Sequence, residues 1–459
     1  MGDLAALLLA AGKGTRMKSD LVKVLHEACG AALIDWPVAA ARQAGAERIV
    51  LVVGHQADKV KAHCAGDGAI AFAIQAEQLG TGHAVACAKV ALSGFNGTVL
   101  ILCGDVPLIR AETLRALIAS HRERKSTVTV LTTYLENPFG YGRIIKREGG
   151  RIVRIVEEKD TTPEERDVCE INSGIYCVES AFLFETVAGL TNDNAQGEYY
   201  LTDIVSRAAT LGVPAVAFPV ADPDEVMGVN DRVQLAAASS VIRRRINEAL
   251  MLSGVTIIDP LCTYIGSQVR IGPDTIVHPN VHISGKTAIG RGCVIEPSVV
   301  IRDCTIADHV TIKAGSVLTE STVGEEAAIG PMAHLRPASE LGPHVKIGNF
   351  VETKKIVMGE GSKASHLTYL GDSTIGRDVN IGCGTITCNY DGVKKHRTVI
   401  GDGVFVGSDV QFVAPITVGA NSLIAAGTTV TQDIPPDSLA LARTPQVNKV
   451  DWVKKKREK

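Results

Sequence analysis

A six-residue repeat runs through the second half of the chain and narrows what that half can fold into. From Ile265 an aliphatic residue returns at Ile271, Val277, Ile283, Ile289, Ile295 and Ile301. After one five-residue step it continues at Ile306, Ile312 and Leu318, and after a second through Val323, Ile329, Leu335, Leu341 and Ile347. It resumes at Ile375 and Ile381, then at Ile400, Val406, Phe412, Val418, Ile424 and Val430. A period of six fits neither a helix nor a hairpin meander. It fits a β-solenoid, in which each short strand sends one aliphatic side chain inward and Gly, Asn or Asp serves the corner. Regularity breaks at 349–374 and at 387–398. Insertions on a regular scaffold are where function is expected, so these two stretches are read as inserted loops.

The first half reads differently. Leu4 to Ala11 is a continuous apolar run ending in Gly12-Lys13-Gly14-Thr15-Arg16-Met17, the pattern of a buried parallel strand followed by a glycine-rich turn. Helices are expected at 34–43, 56–63 and 82–91, and strands at 48–53, 69–74 and 98–102. That alternation predicts an α/β domain with a mostly parallel, Rossmann-like sheet, whose sites lie at the carboxyl ends of the strands. The expected domains are 1–229, a linking helix at 230–252, and a solenoid domain at 253–459. The glycine loop lacks both the GxxxxGK[ST] and the GxGxxG spacing, so by itself it is weak evidence for phosphate binding.

Composition removes several classes. A net charge of −3 gives no global field for nucleic acid, and no apolar run is long enough to span a membrane. The first residues lack a basic segment and read as a strand rather than a signal peptide. Eleven cysteines show no CxxC pair and no His/Cys ligand spacing, which argues against zinc or a disulfide framework and for a reducing, cytoplasmic setting.

The repeat resembles that of the hexapeptide acyltransferases, which implies a left-handed parallel β-helix with three strands per coil, commonly trimeric. The string from Leu8 to Met17, with Lys23-Val24-Leu25, resembles the LAAGxGTRM…PK signature of sugar-phosphate nucleotidyltransferases, with Val22 where that family usually has proline. Gln75 to Ala84 resembles its uracil-reading segment, and Cys103-Gly104-Asp105-Val106-Pro107-Leu108 its GDxPL metal loop. By this likeness Leu9, Ala10, Ala11, Gly12, Lys13, Lys23, Gln75, Gly80, Thr81, Gly104, Asp105, Gly142, Glu157, Asn172 and Asn230 would hold UTP or the UDP-sugar. Arg16 and Lys23 would act on the reacting phosphates, and Asp105 with Asn230 would carry Mg²⁺.

The stretches 349–374 and 387–398 resemble one branch specifically, the bifunctional N-acetylglucosamine-1-phosphate uridyltransferases/glucosamine-1-phosphate acetyltransferases. The resemblance implies His366 as general base, with Glu352 as a candidate to orient it. Arg336, Lys354, Tyr369, Asn380 and Lys395 would hold glucosamine 1-phosphate. Cys383, Asn389, Tyr390, Ser408, Ala426 and Arg443 would hold acetyl-CoA, with Cys383 where the family often has alanine. The implied partners are small molecules and two further copies of the chain. Two other readings remain: a single-activity nucleotidyltransferase whose solenoid only builds an oligomer, and a binding protein with decayed sites.

Overall fold

The computed structural model describes residues 3–147 and 150–457. The chain forms two compact units, Met1–Ile242 and Arg243–Lys459. The helix Arg232–Leu252 contains the division between them.

The first unit is built on a sheet with strand order Ala215–Pro219, Val128–Tyr134, Glu170–Glu179, Thr98–Cys103, Leu4–Ala10, Arg48–Val53, Ile70–Ile74. All of these run parallel except Glu170–Glu179, which is antiparallel to both neighbours. Leu4–Ala10 shows why its run is continuously apolar. Leu4, Ala6, Leu8 and Ala10 enter one core and Ala5 and Leu7 the other, because successive side chains point to opposite faces and helices cover both. The chain moves outward from Leu4–Ala10 to Arg48–Val53 and Ile70–Ile74, then returns to the other side of the first strand as Thr98–Cys103. The order therefore reverses between Leu4–Ala10 and Thr98–Cys103, which opens a crevice at their carboxyl ends. The expected helix at 82–91 is shorter, Thr81–Cys87.

The second unit is a parallel solenoid. Each strand pairs with the third one after it, so three strands make one coil and the coils stack as a three-faced prism. The repeat's aliphatic residues are its core: Ile283, Ile295, Ile301, Ile312, Leu318, Ile329 and Leu335 are all at most 1% exposed. Ile246 and Leu250, from the last turns of Arg232–Leu252, pack against that core.

Residues 349–374 are not an inserted loop. They belong to two unbroken strands, Lys346–Met358 and Lys363–Ile375, paired residue against residue. The inward series passes without interruption through Ile347, Thr353, Met358, Ala364, Leu370, Ile375 and Ile381, all at most 3% exposed. Thr353 and Ala364 are inward but not large aliphatics, and this hid the period. The second break is real. Asn380 stacks on Phe405, a step of 25 residues where the two preceding coils take 17 each. The surplus forms a turn closed by an antiparallel bridge between Tyr390 and Lys395.

No helix among the described residues is long and apolar enough to cross a membrane.

Candidate active sites

In the first unit a cavity of about 260 Å³ opens at the sheet's reversal point. Leu9, Ala10, Ala11 and Gly12 line it together with Lys23, Gln75, Gly80, Thr81, Cys103 and Asp105. Gly104 N–H donates to the Leu9 carbonyl at 2.9 Å, and a Cβ on Gly104 would lie 2.7 Å from Ile34 Cδ1. Only glycine lets this loop rest on the end of the first strand and aim Asp105 into the crevice. Gly14 has φ +62°, and a Cβ there would meet Lys23 Cβ at 2.6 Å, so the glycine makes room for the lysine. Val22 adopts φ −58°, within the range to which a proline ring would lock it, so the family's usual residue is absent while its backbone geometry is kept.

Four residues from three distant parts of the sequence converge on one point. Lys23 Nζ forms an ion pair with Asp105 Oδ2, and it donates to Asn230 Oδ1 at 3.1 Å. Arg16 Nη2 donates to the same oxygen at 3.0 Å. Asn230 is delivered there by the Val229 N–H, which donates to the Asp105 backbone carbonyl at 2.8 Å. A carboxylate and an amide oxygen thus share one ammonium. Such hard oxygen donors suit a divalent cation that keeps several waters. Among the described residues no group of three or more His, Cys, Asp or Glu could hold a metal, so a cation here would have a sparse protein shell.

Gln75 Nε2 donates to the Gly80 carbonyl at 3.0 Å and lies 3.2 Å from His83 Nδ1, so the amide oxygen is left for a ligand's N–H. Thr81 Oγ1 accepts from Leu201 N–H at 3.0 Å, which gives its hydroxyl a structural duty. Lys13 is exposed on the loop. Burial, with the Asp105 charge adding, pushes the Cys103 thiol up to about 12, so it lines the cavity as an inert thiol.

A second hollow, of about 910 Å³, is lined by Arg16, Gly140, Glu157, Glu158, Lys159, Arg166 and Gln196. Burial raises the Glu157 carboxyl above its ordinary range, and its Oε1 accepts from Thr202 at 3.3 Å. Gly142 presents its carbonyl to Asn172 N–H at 2.8 Å. Asn172 Oδ1 accepts from Tyr176 at 3.0 Å, which leaves its NH₂ free to donate to a ligand. Lys159, Arg166 and Gln196 were missed in the sequence because no motif joins them.

In the solenoid the named residues gather at two corners of the prism. Lys363, Asn380, Phe405 and Leu423 stack in register. Three residues further along each coil stand His366, Cys383, Ser408 and Ala426. Backbone bonds from Gly384 to Leu367, Asp409 to Cys383 and Gly427 to Ser408, at 2.9, 2.7 and 2.9 Å, hold that column. Arg443 Nη1 donates to the Ala426 carbonyl at 2.9 Å and so ends it. His366 is exposed in a strand rather than in a loop, with Nδ1 3.2 Å from Asn349 Oδ1.

At the next corner Arg336 lies one coil before Lys354, which stands opposite Gly371. A Cβ on Gly371 would meet the Tyr369 hydroxyl at 2.5 Å and Asn389 Nδ2 at 2.7 Å. The inserted turn brings Lys395 to Lys354. Lys395 first, and then Arg336, hold the Lys354 ammonium below its ordinary range, because like charges disfavour one another. Crowded cations of this kind can take a phosphate. Tyr390 is exposed in the turn, its hydroxyl donating to the Gly392 carbonyl at 2.6 Å. Glu352 does not orient His366. It accepts from Arg336 Nη1 at 2.7 Å and stands opposite Tyr369.

Known proteins match this arrangement along its whole length. A nucleotidyl transferase family pattern matches residues 5–223, a GMPPB C-terminal domain pattern residues 257–339, and a bacterial transferase hexapeptide pattern (six repeats) residues 397–432. The bifunctional protein GlmU of Geotalea uraniireducens (strain Rf4) is 67% identical over 457 residues, covering 100% of both chains. That of Pelobacter propionicus is 64% identical over 452 residues, 98% of each. That of Brevibacillus brevis is 47% identical over 455 residues, 99% of this chain and 98% of its own. With identity of this order from end to end, and with both halves of the chain matched, the protein belongs to the family of bifunctional GlmU proteins.

Proposed function

We propose that the two sites work as follows. The protein is a bifunctional transferase of UDP-N-acetylglucosamine biosynthesis, a precursor of the bacterial cell wall. It acetylates glucosamine 1-phosphate from acetyl-CoA and then transfers a uridylyl group from UTP, releasing pyrophosphate. The observation that carries the residue assignment is the presence in one chain of a cation-paired crevice and a separate His366 column.

In the solenoid, His366 takes the proton from the amine of glucosamine 1-phosphate as the nitrogen attacks the thioester carbonyl and CoA thiolate leaves. Arg336, Lys354 and Lys395 hold the sugar phosphate, with Tyr369 and Asn380 as further contacts. The pantetheine arm lies along Cys383, Ser408 and Ala426. Three coils at ~4.8 Å each give a track of about 14 Å from His366, suited to an extended arm. Arg443 pairs with a CoA phosphate, and Asn389 and Tyr390 close the site. A one-activity reading, with the solenoid as scaffold, leaves the inserted turn and its lysine without purpose.

In the first unit a phosphate oxygen of N-acetylglucosamine 1-phosphate attacks the α-phosphorus of UTP. Positioning and charge neutralisation do most of the work. Lys13, Arg16 and Lys23 hold the phosphates, Gln75, Gly80 and Thr81 the uracil, and Gly142, Glu157 and Asn172 the sugar. The nucleotidyltransferase family depends on a divalent cation. Mg²⁺ held by Asp105 and Asn230 supplies neutralisation of phosphate charge when bound.

Hexapeptide members form oligomers, and we take this one to be a trimer. His366 and the cation cluster stand at different corners of one prism, so a substrate needing both is best served between copies. An outward ladder of Phe405, Leu423 and Leu439, 51%, 46% and 63% exposed, gives such copies an apolar face. Light scattering should return three times the chain mass, and a monomer mass would remove this arrangement. Free cysteines throughout suit a cytoplasmic setting.

The test of the bifunctional reading is acetyl transfer with UTP absent. Free CoA thiol should appear only when glucosamine 1-phosphate is present. No release, in protein that still makes UDP-N-acetylglucosamine from N-acetylglucosamine 1-phosphate and UTP, would leave the solenoid as scaffold.

A further inference from the structure

We propose that Asn349 is the positioning residue that keeps His366 in its proton-accepting form during acetyl transfer, an inference that rests on His366 being the base. The strands Lys346–Met358 and Lys363–Ile375 pair so that Asn349 faces His366 directly. Asn349 Oδ1 lies 3.2 Å from His366 Nδ1. A carboxamide oxygen can only accept, so Nδ1 carries the proton and Nε2 keeps its lone pair. Without that partner the neutral ring divides between two tautomers, and in one of them Nε2 is already protonated and cannot take a proton from the amine.

The backbone around the pair is built for close approach. A Cβ on Gly348 would lie 1.8 Å from the Ser365 carbonyl oxygen, so the two coils touch immediately before Asn349 and His366. Thr368 Oγ1 donates to the His366 carbonyl at 2.7 Å and fixes the strand after the ring. Phe350 and Leu367, the residues that follow, both turn the corner with positive φ, 59° and 36°. The asparagine and the histidine are therefore presented from equivalent corners of successive coils. The carboxylate that the family resemblance offers as a candidate for this task, Glu352, is held by Arg336 instead. An uncharged amide sets the tautomer without the attraction to a ring cation that a carboxylate would add. His366 can therefore both accept the amine's proton and release it.

The experiment uses the full chain with Asn349→Leu, Asn349→Asp and His366→Gln. In Asn349→Leu, kcat for acetyl transfer should fall about 10–50-fold, with little change in KM for glucosamine 1-phosphate. Asn349→Asp, whose carboxylate also accepts from Nδ1–H, should restore most of that rate. Uridylyl transfer should be equal in all three variants, which reports that the chain is folded. Nitrogen NMR of histidine-labelled protein, with the His366 signal identified by its loss in His366→Gln, should show the Nδ1–H tautomer in the parent and in Asn349→Asp. Asn349→Leu should shift that signal toward Nε2–H. A parent-like kcat in Asn349→Leu, or an Nε2–H ring in the parent protein, overturns the proposal. Retained acetyl transfer in His366→Gln would instead remove the base itself, a failure separable from that of Asn349.

Discussion

Alanine in place of His366 is expected to lower acetyl transfer by about 10²–10⁴-fold, the usual contribution of a positioned general base. Release of pyrophosphate from UTP should stay at the parent rate. The side chain is exposed at a corner of the prism and its one described side-chain bond is to Asn349. Its removal therefore opens no cavity in the solenoid core, and the inward neighbours Ala364 and Leu370 stay packed. Folding and oligomer mass should be unchanged, so the loss is one of chemistry. Free CoA thiol measured with saturating glucosamine 1-phosphate checks it. Near-parent release would take the base role from His366 and with it the column's purpose as a route to that ring.

What the sequence disclosed and what it hid follow from how each signal is made. The inward aliphatic of every short strand recurs at a fixed step, so the solenoid and most of its core were legible one residue at a time. The same signal failed over 349–374. Thr353 and Ala364 satisfy the inward position by being buried and small enough, without being the large aliphatic residues that mark the period. The glycine loop and Asp105 were legible because short motifs carry them. The ion pair between Lys23 and Asp105 was not, since it depends on the strand order reversing between Leu4–Ala10 and Thr98–Cys103, which are neighbours in the sheet but far apart in the chain. Glu352 was misplaced for a related reason. The resemblance offers it as a candidate, yet register decides which side chains meet across coils, and it sets Asn349 opposite His366 and Glu352 opposite Tyr369. A shift of three positions along the strand moves a side chain from one corner to the next face.

Asp105→Ala is expected to lower kcat for uridylyl transfer by about 10²–10³-fold, and added divalent cation should not restore it. The backbone carbonyl of Asp105 still accepts from Val229 N–H, so Asn230 stays where it is and the loop keeps its shape. What disappears is one carboxylate. A cation entering the site then finds a single amide oxygen, and Lys23, released from its ion pair, still bonds that oxygen at 3.1 Å and competes for it. The electrostatic balance also predicts how the loss divides. Arg16 and Lys23 remain while the negative charge between them and an incoming triphosphate is gone, so KM for UTP should fall or hold rather than rise. Steady-state kinetics at saturating cation, together with Mn²⁺ binding followed by paramagnetic resonance, measure both halves. Weakened Mn²⁺ binding with a collapsed kcat and an unraised KM fits a cation ligand. A raised KM with kcat intact would instead make Asp105 a contact to the nucleotide, and the cation would have to be held elsewhere.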